Sequence, residues 1–290
     1  AMSAVLADFE ATLSDDPVDL AKAALVIARI EYPTLDAAVS LDALDRLGDR
    51  ATARLGEEAT SSVRSRIATL NALLFEEERF AGNRTHYLDF RNSLLNVVLD
   101  RRLGIPITLA LVYMEVARRA GVDVQGIAFP GHFLMRVPLG AREDDLPALV
   151  LDPFSGGAEL DDAACQRLLG THLGHLSEEL PFDRTLLRPC SARQLLARML
   201  NNLKRIYVDL RSFPQARAAT DLLLVLDPMM HAERRDRGLL AYHLDDYVGA
   251  LRDLEDYLRL NSWSAGSARE EHDQIWEHVK TLRRRVAAFN

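Results

Sequence analysis

The fold is decided by one stretch of the chain, whose three motifs are NSLLNVVLDRRLGIPITLA (residues 92–110), FPGHFL (129–134) and LVLDPFSGG (149–157). The first motif predicts two helices, because Gly104 is a common helix terminator and Pro106 fits the first position of the next helix. The other two motifs predict strands that carry His132 and Asp152. A histidine and an aspartate on neighbouring strands, beside the start of a helix, are the surroundings in which a cysteine nucleophile works. This sequence has no cysteine at that helix start.

The apolar residues on either side of this stretch indicate an α+β fold. Upstream, helical spacing predicts helices that begin near residues 17, 41 and 61, the first with Asp16 as its N-cap and Pro17 at its first position. Downstream, short β-branched and aromatic runs predict strands over 122–129, 133–137 and 148–151. Helices followed by successive short strands predict a small antiparallel sheet beside a helical N-terminal region.

The tail from about residue 193 is predicted to be all helix and contains an internal repeat. FPQARAATDLLLVLDP (213–228) aligns with YVGALRDLEDYLRLNS (247–262), which pairs Ala216 with Ala250 at an offset of 34 residues (250 − 216 = 34). This is the tetratricopeptide period, in which a small residue lets two antiparallel helices pack closely. The sequence therefore predicts a first domain over residues 2–190 and an all-α helical repeat domain over residues 191–290.

Composition and charge restrict the possible functions. The 290 residues are 48% hydrophobic and 27% charged, which is typical of a globular protein that folds without disulfides. A formal net charge of −8 argues against nucleic acid as the main partner. No apolar run reaches the roughly 18 residues of a membrane-spanning helix. The two cysteines, and first residues that lack the pattern of a secretory leader, predict a cytoplasmic protein.

The chain resembles the bacterial SirB-type family in GIPITLA (104–110), FPGHFL (129–134), LDPFSGG (151–157) and the early AALVIARIEYP (23–33). The resemblance extends over nearly the whole chain. It implies a transglutaminase-like (papain-like) core and a tetratricopeptide-like tail, in a protein loosely described as regulatory. One departure is Phe90, where the family pattern has proline.

The same resemblance implies how the catalytic positions map onto this chain. In active transglutaminase-like enzymes a Gly-x-Cys at a helix start supplies the thiolate, and a histidine and an aspartate follow on strands. Gly104 matches the glycine, while His132 and Asp152 match the histidine and the aspartate. Pro106 occupies the position of the cysteine. A helix start lowers the pKa of a thiol, but proline offers neither a nucleophile nor an N–H group there.

His132 and Asp152 are the leading site candidates, with two interpretations. They are 20 residues apart (152 − 132 = 20), which lets neighbouring strands set them side by side. An aspartate that orients an imidazole is the usual support of a general base. The pair is either a functional pocket or a structural remnant that pins the Pro130-Gly131 turn. Thr108 offers a hydroxyl in the first helical turn, where a threonine more often hydrogen-bonds locally.

Further polar residues are candidates for the same pocket. Asn92 and Asn96 are spaced to share a helix face, although asparagines more often cap or bridge the backbone. Arg101 or Arg102 near the end of that helix, and Phe129 at the start of the histidine motif, complete the set.

Cysteines, histidines and a group of arginines outside the motifs have mainly structural interpretations. Cys165 and Cys190 are expected to be small buried residues. His172 and His175 are spaced like zinc ligands without a third, so we expect neither a metal nor another cofactor. The arginines are expected to form a solvated face of the repeat that is also able to contact an acidic peptide: Arg234, Arg235 and Arg237.

Three functions are compatible with these patterns. The leading prediction is a non-catalytic transglutaminase-like protein, acting as a protein-interaction or regulatory module whose tail binds a protein or peptide. The alternative is a hydrolase or acyl-transferase in which His132 and Asp152 act with a non-standard nucleophile or an activated water. A third is a scaffold whose tail mediates self-association. Substituting alanine for His132 separates the first two, since only an enzyme would lose turnover.

Overall fold

The computed structural model describes residues 2–56, 61–140, 147–174, 181–261 and 267–288. The chain divides into two compact units. The core unit is Thr12–Met199, and the repeat unit combines Ala1–Ala11 with Leu200–Asn290. The domain boundary predicted between residues 190 and 191 stays a prediction.

The chain begins with helices, as predicted. They are α1 (Met2–Leu13), α2 (Leu20–Ala28), α3 (Ala37–Gly56) and α4 (Val63–Asn71), which continues into a π-helical turn (Ala72–Glu77). The predicted start of α2 at Asp16 and Pro17 is wrong. The N-cap is Asp19, whose carboxylate accepts a hydrogen bond from the Lys22 N–H at 3.0 Å. Asp19, three residues after Asp16, supplies the capping carboxylate instead, because the helix begins at Leu20.

The helices of the first motif are α5 (Leu95–Arg101) and α6 (Pro106–Arg119), and α6 begins at Pro106 as predicted. The predicted end of α5 at Gly104 is wrong. Arg102 closes the helix in the left-handed conformation, with φ of 60°. Its guanidinium lies 4.7 Å from the centre of the Phe80 ring and 3.0 Å from a Glu78 carboxylate oxygen. These contacts offset the cost of left-handed backbone in a residue with a side chain.

Gly104 instead belongs to a short parallel pair of strands. β1 (Ala81–Gly82) pairs with β2 (Leu103–Gly104), so that Gly82 lies opposite Gly104. A Cβ atom on Gly104 would lie 2.8 Å from the Thr108 hydroxyl oxygen, so the glycine lets that hydroxyl approach the backbone. The Gly-Ile-Pro sequence therefore joins a strand to α6.

The main sheet confirms the predicted small antiparallel sheet. Its strands, in spatial order, are β3 (Gln125–Ile127), β4 (Leu134–Pro138), β5 (Ala148–Asp152) and β6 (Ala158–Glu159). All neighbours are antiparallel, with Met135 opposite Leu151 and Arg136 opposite Val150. Cys165 and Leu169 of α7 (Asp162–Leu173) join one apolar cluster with residues of the sheet.

The repeat unit confirms the 34-residue period. The helices of the tail are α8 (Ala192–Asp209), within which the two units divide, α9 (Phe213–Leu226), α10 (His231–His243), α11 (Tyr247–Leu260) and α12 (Ser267–Ala288). The starts of α9 and α11 are 34 residues apart (247 − 213 = 34), and so are their ends (260 − 226 = 34). Ala216 and Ala250 are both fully buried, as expected of the small residues in a tetratricopeptide-like repeat.

The expected solvated arginine face of the repeat is wrong. Arg235 forms ion pairs with Asp236 and Glu271, and Arg237 forms ion pairs with Asp221 and Asp253. Arg234 lies 3.6 Å from a carboxylate oxygen of Asp256. These three guanidinium groups are therefore paired with acidic residues of the repeat unit and do not form a solvated face. None of the helices in the described ranges is both long and apolar enough to cross a membrane.

Candidate functional site

The structure places the two leading site residues in contact. Asp152 is the last residue of β5, and His132 lies two residues before β4, the strand that pairs with β5. The His132 Nε2 atom is 2.9 Å from Asp152 Oδ1. Their side chains are only 4% and 8% exposed, so the pair is shielded from bulk water.

Local turn geometry fixes the Asp152 carboxylate. The Phe154 N–H donates to Asp152 Oδ1 at 2.9 Å, so the carboxylate caps the short 3-10 turn Pro153–Ser155. Burial alone would raise the pKa of Asp152. The hydrogen bond and charge of His132, with the Phe154 N–H and the Ser155 hydroxyl, outweigh burial and lower the pKa below its ordinary value. The carboxylate is therefore charged and orients the imidazole.

Two rings cover the imidazole of His132. His172, near the end of α7, stacks on it at 5.1 Å between ring centres, and Phe154 meets it edge-on at 6.2 Å. Gly131, with φ of +69°, permits the stack, because a Cβ atom there would lie 2.6 Å from the His172 Cβ. Burial, and then the nearby His132, lower the pKa of His172, which favours its neutral form. The imidazole is thus covered on one face by His172 and met edge-on by Phe154.

Distant residues hold the Asp152–Gly157 turn in place. The Asn71 amide donates to the Gly157 carbonyl at 3.1 Å and accepts from the Tyr113 hydroxyl at 2.9 Å. Gly157 has φ of +75°, and a Cβ atom on it would lie 2.2 Å from Asn71 Oδ1. The sequence analysis missed this clamp, since only the Gly-Gly pair hinted at a close backbone approach.

Two arginines bind the backbone on either side of the site, and the sequence analysis missed both. The Arg198 guanidinium donates to the carbonyls of Phe129 at 3.2 Å and His132 at 2.9 Å. The Arg84 guanidinium donates to the Phe154 carbonyl at 3.1 Å and lies 4.5 Å from the centre of that ring. Neither arginine lies in a recognisable motif, so no local sequence signal pointed to them.

The Thr108 hydroxyl is occupied by local hydrogen bonds. It donates to the Asn92 carbonyl at 2.6 Å and accepts from the Ile105 N–H at 3.1 Å, and Thr108 is fully buried. Pro106, in the family's cysteine position, is also buried at the first position of α6. The threonine thus closes the start of α6 and bridges it to residue 92.

The asparagine candidates for the pocket do not have the arrangement that the sequence analysis assumed. Asn92 sits in a 3-10 turn (Phe90–Ser93) before α5, so it does not share a helix face with Asn96. Its amide donates to the carbonyls of His86 and Tyr87 and accepts from Asn83. The premise that Asn92 and Asn96 share a helix face is therefore wrong, because the backbone turns between them.

The last two pocket candidates have their own contacts. Arg101, at the end of α5, lies 3.4 Å from a carboxylate oxygen of Asp89. The Phe129 side chain is fully buried in the apolar cluster that contains Cys165. Both residues therefore have structural contacts in the fold.

Neither cysteine is poised as a thiolate. Burial, with nearby aspartates, raises the pKa of the Cys165 thiol to about 11, and burial raises that of Cys190 to about 11. A neutral thiol is a poor nucleophile and a poor metal ligand. Among the described residues no group of three His, Cys, Asp or Glu side chains converges as a metal site. His175, the second expected zinc-type histidine, lies outside the described residues.

Comparison with known protein families shows which family this chain belongs to. The transglutaminase-like superfamily matches residues 39–201, more than half of the chain. The chain belongs to the transglutaminase-like superfamily. The tetratricopeptide repeat family matches residues 203–284 of this transglutaminase-like protein, in agreement with the helical repeat seen there.

Two bacterial relatives match this chain over most of their own length. A UPF0162 protein of Xylella fastidiosa is 40% identical over 259 residues, 86% of this chain and 86% of its own length. Protein SirB1 of Salmonella typhimurium is 26% identical over 259 residues, 87% of this chain and 89% of its own length. These matches confirm the resemblance to the SirB-type family.

A larger protein shares part of the chain. F-box only protein 21 of Mus musculus is 33% identical over 169 residues, 56% of this chain but 25% of its own length. No solved structure matches this transglutaminase-like protein. A transglutaminase-like core and a tetratricopeptide-like tail, in a relative of SirB1, fit a regulatory protein-interaction module.

Proposed function

We propose that this chain is a non-catalytic transglutaminase-like protein that acts as a regulatory protein-interaction module in the cytoplasm. One observation carries the proposal. The oriented His132–Asp152 pair has no nucleophile to activate, because Pro106 stands in the family's cysteine position and no described thiol or hydroxyl bonds to His132.

The surroundings of His132 support this proposal. The nucleophile candidates from the sequence analysis are a threonine whose hydroxyl is engaged in local hydrogen bonds and two cysteines with raised pKa values. His172 stacks on one face of the imidazole and Phe154 meets it edge-on, and the side chain is only 4% exposed, which restricts the approach of a substrate carbonyl. In this proposal the pair is a structural remnant that fixes the turn between β5 and β6.

The repeat unit supplies the proposed binding surface for a protein partner. Tetratricopeptide-like repeats stack helices into extended surfaces that bind peptides. Among the described residues of that unit, Met229 and Val248 are the most exposed large apolar side chains, at 68% and 67%. Exposed apolar groups of this kind are suited to contact with another protein.

Site-directed photo-cross-linking in cells tests where a partner binds. A photoreactive phenylalanine analogue is placed at Met229 or Val248 in the repeat unit, and at Val39 or Leu88 in the core unit. The core positions are matched controls because they are 65% and 61% exposed. We expect adducts with another protein from the repeat positions, retained when His132→Ala is added.

The outcomes separate the proposals. Adducts confined to the core positions, or lost with His132→Ala, would contradict the assignment. Adducts between two copies of the chain would favour the self-associating scaffold instead.

A second candidate function is hydrolysis or acyl transfer through an activated water. The observation in its favour is that Asp152 is charged and holds the His132 imidazole by one nitrogen, the arrangement of a general base. Turnover that disappears in His132→Ala would establish this candidate.

A further inference from the structure

Four rings of the repeat unit form a row across one end of its helices. Phe213 at the start of α9 stacks on His243 at the end of α10, with 4.8 Å between ring centres. His243 meets Tyr242 edge-on at 6.1 Å, and the Tyr242 ring is 5.9 Å from that of Tyr247 at the start of α11. We call these four rings the aromatic row. None of the four residues is buried, so the row lies at the surface.

An arginine guanidinium lies on a ring at each end of the aromatic row. Arg211, in the turn before α9, is 5.8 Å from the centre of the Phe213 ring. Arg285 of α12 is 5.6 Å from the centre of the Tyr242 ring and 5.3 Å from that of Tyr247. Both arginines are exposed. A guanidinium that lies over a ring keeps N–H groups at its edge for hydrogen bonds.

These two guanidinium groups have no carboxylate partner in the part of the chain that the structure describes. There, neither Arg211 nor Arg285 forms an ion pair, and the one side-chain hydrogen bond of Arg285 goes to the Tyr247 hydroxyl at 3.2 Å. Arg217 of the same unit, by contrast, pairs with Asp246 at 2.8 Å. Two oriented positive charges are therefore open to carboxylates from another molecule.

The aromatic row lies beside a position that we propose for partner contact. Val248 follows Tyr247 in α11 and is 67% exposed. Leu210 precedes Arg211 and is 56% exposed. This end of the repeat unit therefore combines apolar, aromatic and arginine side chains, which are enriched where proteins bind one another.

The charge of the chain selects one class of partner. A formal net charge of −8 argues against nucleic acid, whose binding depends on the neutralisation of many phosphates. A protein segment needs only a few carboxylates to match two arginines. We propose that the aromatic row, with Arg211 and Arg285, binds an acidic peptide segment of a partner protein, in which carboxylates flank an aromatic side chain. This assignment rests on the proposed function of the repeat unit and names the chemistry of its partner.

An NMR titration of the ¹⁵N-labelled full chain at constant ionic strength tests this assignment. The probe is acetyl-Glu-Glu-Ala-Phe-Ala-Glu-Glu-amide, whose extended length of roughly 23–25 Å is about that of the row with its two guanidinium groups. One control peptide has glutamine in place of every glutamate, and another has alanine in place of phenylalanine. A short oligothymidylate represents nucleic acid.

We expect saturable shifts of the His243 and Tyr247 amide signals with the acidic peptide, and none with the glutamine peptide. The alanine peptide should bind more weakly by up to about tenfold, because it makes no ring contact. Arg211→Gln and Arg285→Gln should each weaken binding about tenfold, since each removes one charge-assisted contact. The double variant should bind about a hundredfold more weakly, because effects at separate contacts add.

Arg284→Gln is the matched control. Arg284 is exposed, adjoins Arg285 in α12 and contacts no ring within the described ranges, so its loss changes the net charge equally. The proposal is overturned if the acidic peptide gives no saturable shifts or binds no more tightly than the glutamine peptide. It is equally overturned if Arg211→Gln and Arg285→Gln bind the acidic peptide like Arg284→Gln, or if the oligothymidylate binds more tightly than the acidic peptide.

Failure of this proposal is distinguishable from failure of the proposed function. Cross-linking from Met229 and Val248 reports any protein partner of the repeat unit, whatever its charge. Adducts from those positions without binding of the acidic peptide would overturn the assignment of the aromatic row alone.

Discussion

The two units each bury a charged contact, and the two contacts differ in kind. In the core unit, Asp152 receives donors from His132, Phe154 and Ser155, and all of them lie in one sheet corner. In the repeat unit, Arg237 of α10 donates to Asp221 of α9 at 3.0 Å and to Asp253 of α11 at 2.7 Å. One contact orients a titratable imidazole, while the other ties three successive helices with a permanently charged group.

The pKa values of the two carboxylates differ accordingly. The donors around Asp152 outweigh burial and lower its pKa, whereas burial raises the pKa of Asp221 despite the ion pair with Arg237. Arg237 is shared with Asp253, so Asp221 receives less compensation. A carboxylate that accepts several hydrogen bonds and orients a histidine is the arrangement of an enzyme active site, present or former. An arginine shared by two aspartates on neighbouring helices instead holds those helices together.

The largest expected effect is at Arg237. Arg237→Met leaves the buried carboxylate of Asp253 and the partly buried one of Asp221 without their closest cation, so we expect the free energy of unfolding of the repeat unit to fall by about 3–5 kcal/mol. Urea unfolding followed by tryptophan fluorescence measures this, because both tryptophans, Trp263 and Trp276, lie in the repeat unit.

Arg252→Met is the control for this prediction, since the Arg252 side chain is 65% exposed and 3.8 Å from Asp253. It should change stability by less than about 0.5 kcal/mol. Equal effects of the two substitutions would show that the Arg237 contacts do not hold the repeat helices together.

The next largest loss of stability is expected in the turn that positions Asp152, where two adjacent glycines can be compared. Gly157→Ala combines a positive φ of +75° with a clash against Asn71, and should destabilise the core unit by about 2–3 kcal/mol. Gly156→Ala has a φ of +65° but open space around it, and should cost about 1 kcal/mol. Amide hydrogen exchange of β5 in the full chain measures both; similar protection in the two variants would rule out a tight Asn71 clamp.

A third comparison concerns the start of α6. Thr108→Val leaves the Asn92 carbonyl and the Ile105 N–H buried without their partner, and should cost about 1–3 kcal/mol. Thr108→Ser keeps the hydroxyl and should cost less. Circular dichroism during urea unfolding measures the difference; a valine variant as stable as the serine variant would mean that the hydroxyl has another role.

The smallest effect is on the pH dependence of stability, where the two carboxylates should act with opposite signs. The folded-state pKa of Asp152 is lowered, so its contribution is present above its ordinary value of about 3.9 and is lost as the pH falls through the folded value. The folded-state pKa of Asp221 is raised, so its unfavourable contribution disappears as the pH falls through that higher value.

Asp152→Asn should therefore make the loss of stability in acid shallower, and Asp221→Asn should make it steeper. Unfolding free energies measured between pH 3 and pH 6 give the two slopes. Changes of the same sign in both variants would contradict the opposite directions of the pKa shifts.

Local sequence patterns predicted where the helices and strands lie. The helix boundary that they missed depends on contacts between residues far apart in the sequence. The start of α6 at Pro106 and the 34-residue offset of α9 and α11 follow from sequence signals within one or two helices. The end of α5 at Arg102 depends on Phe80 and Glu78, which lie more than 20 residues earlier.

The same difference applies to the site. The contact of His132 with Asp152 was predictable because neighbouring antiparallel strands carry the two residues. The stack of His172 on His132 was not, because no periodic pattern places the last turn of α7 over the Pro130-Gly131 turn. The hydrogen bond of Asn71 to Gly157 joins residues 86 apart in the sequence, and no sequence pattern predicted it either.

The measurement that tests the central claim most directly is turnover of acyl substrates by the full chain, with and without His132. Wild type, His132→Ala and the exposed-histidine control His86→Ala are incubated with activated esters, a glutamine-containing peptide and an isopeptide, and product and intact protein mass are recorded. The account predicts equal background rates and no acyl adduct in all three. It would be contradicted by a wild-type rate that falls by about 100-fold or more in His132→Ala but not in His86→Ala, the loss expected of a general base.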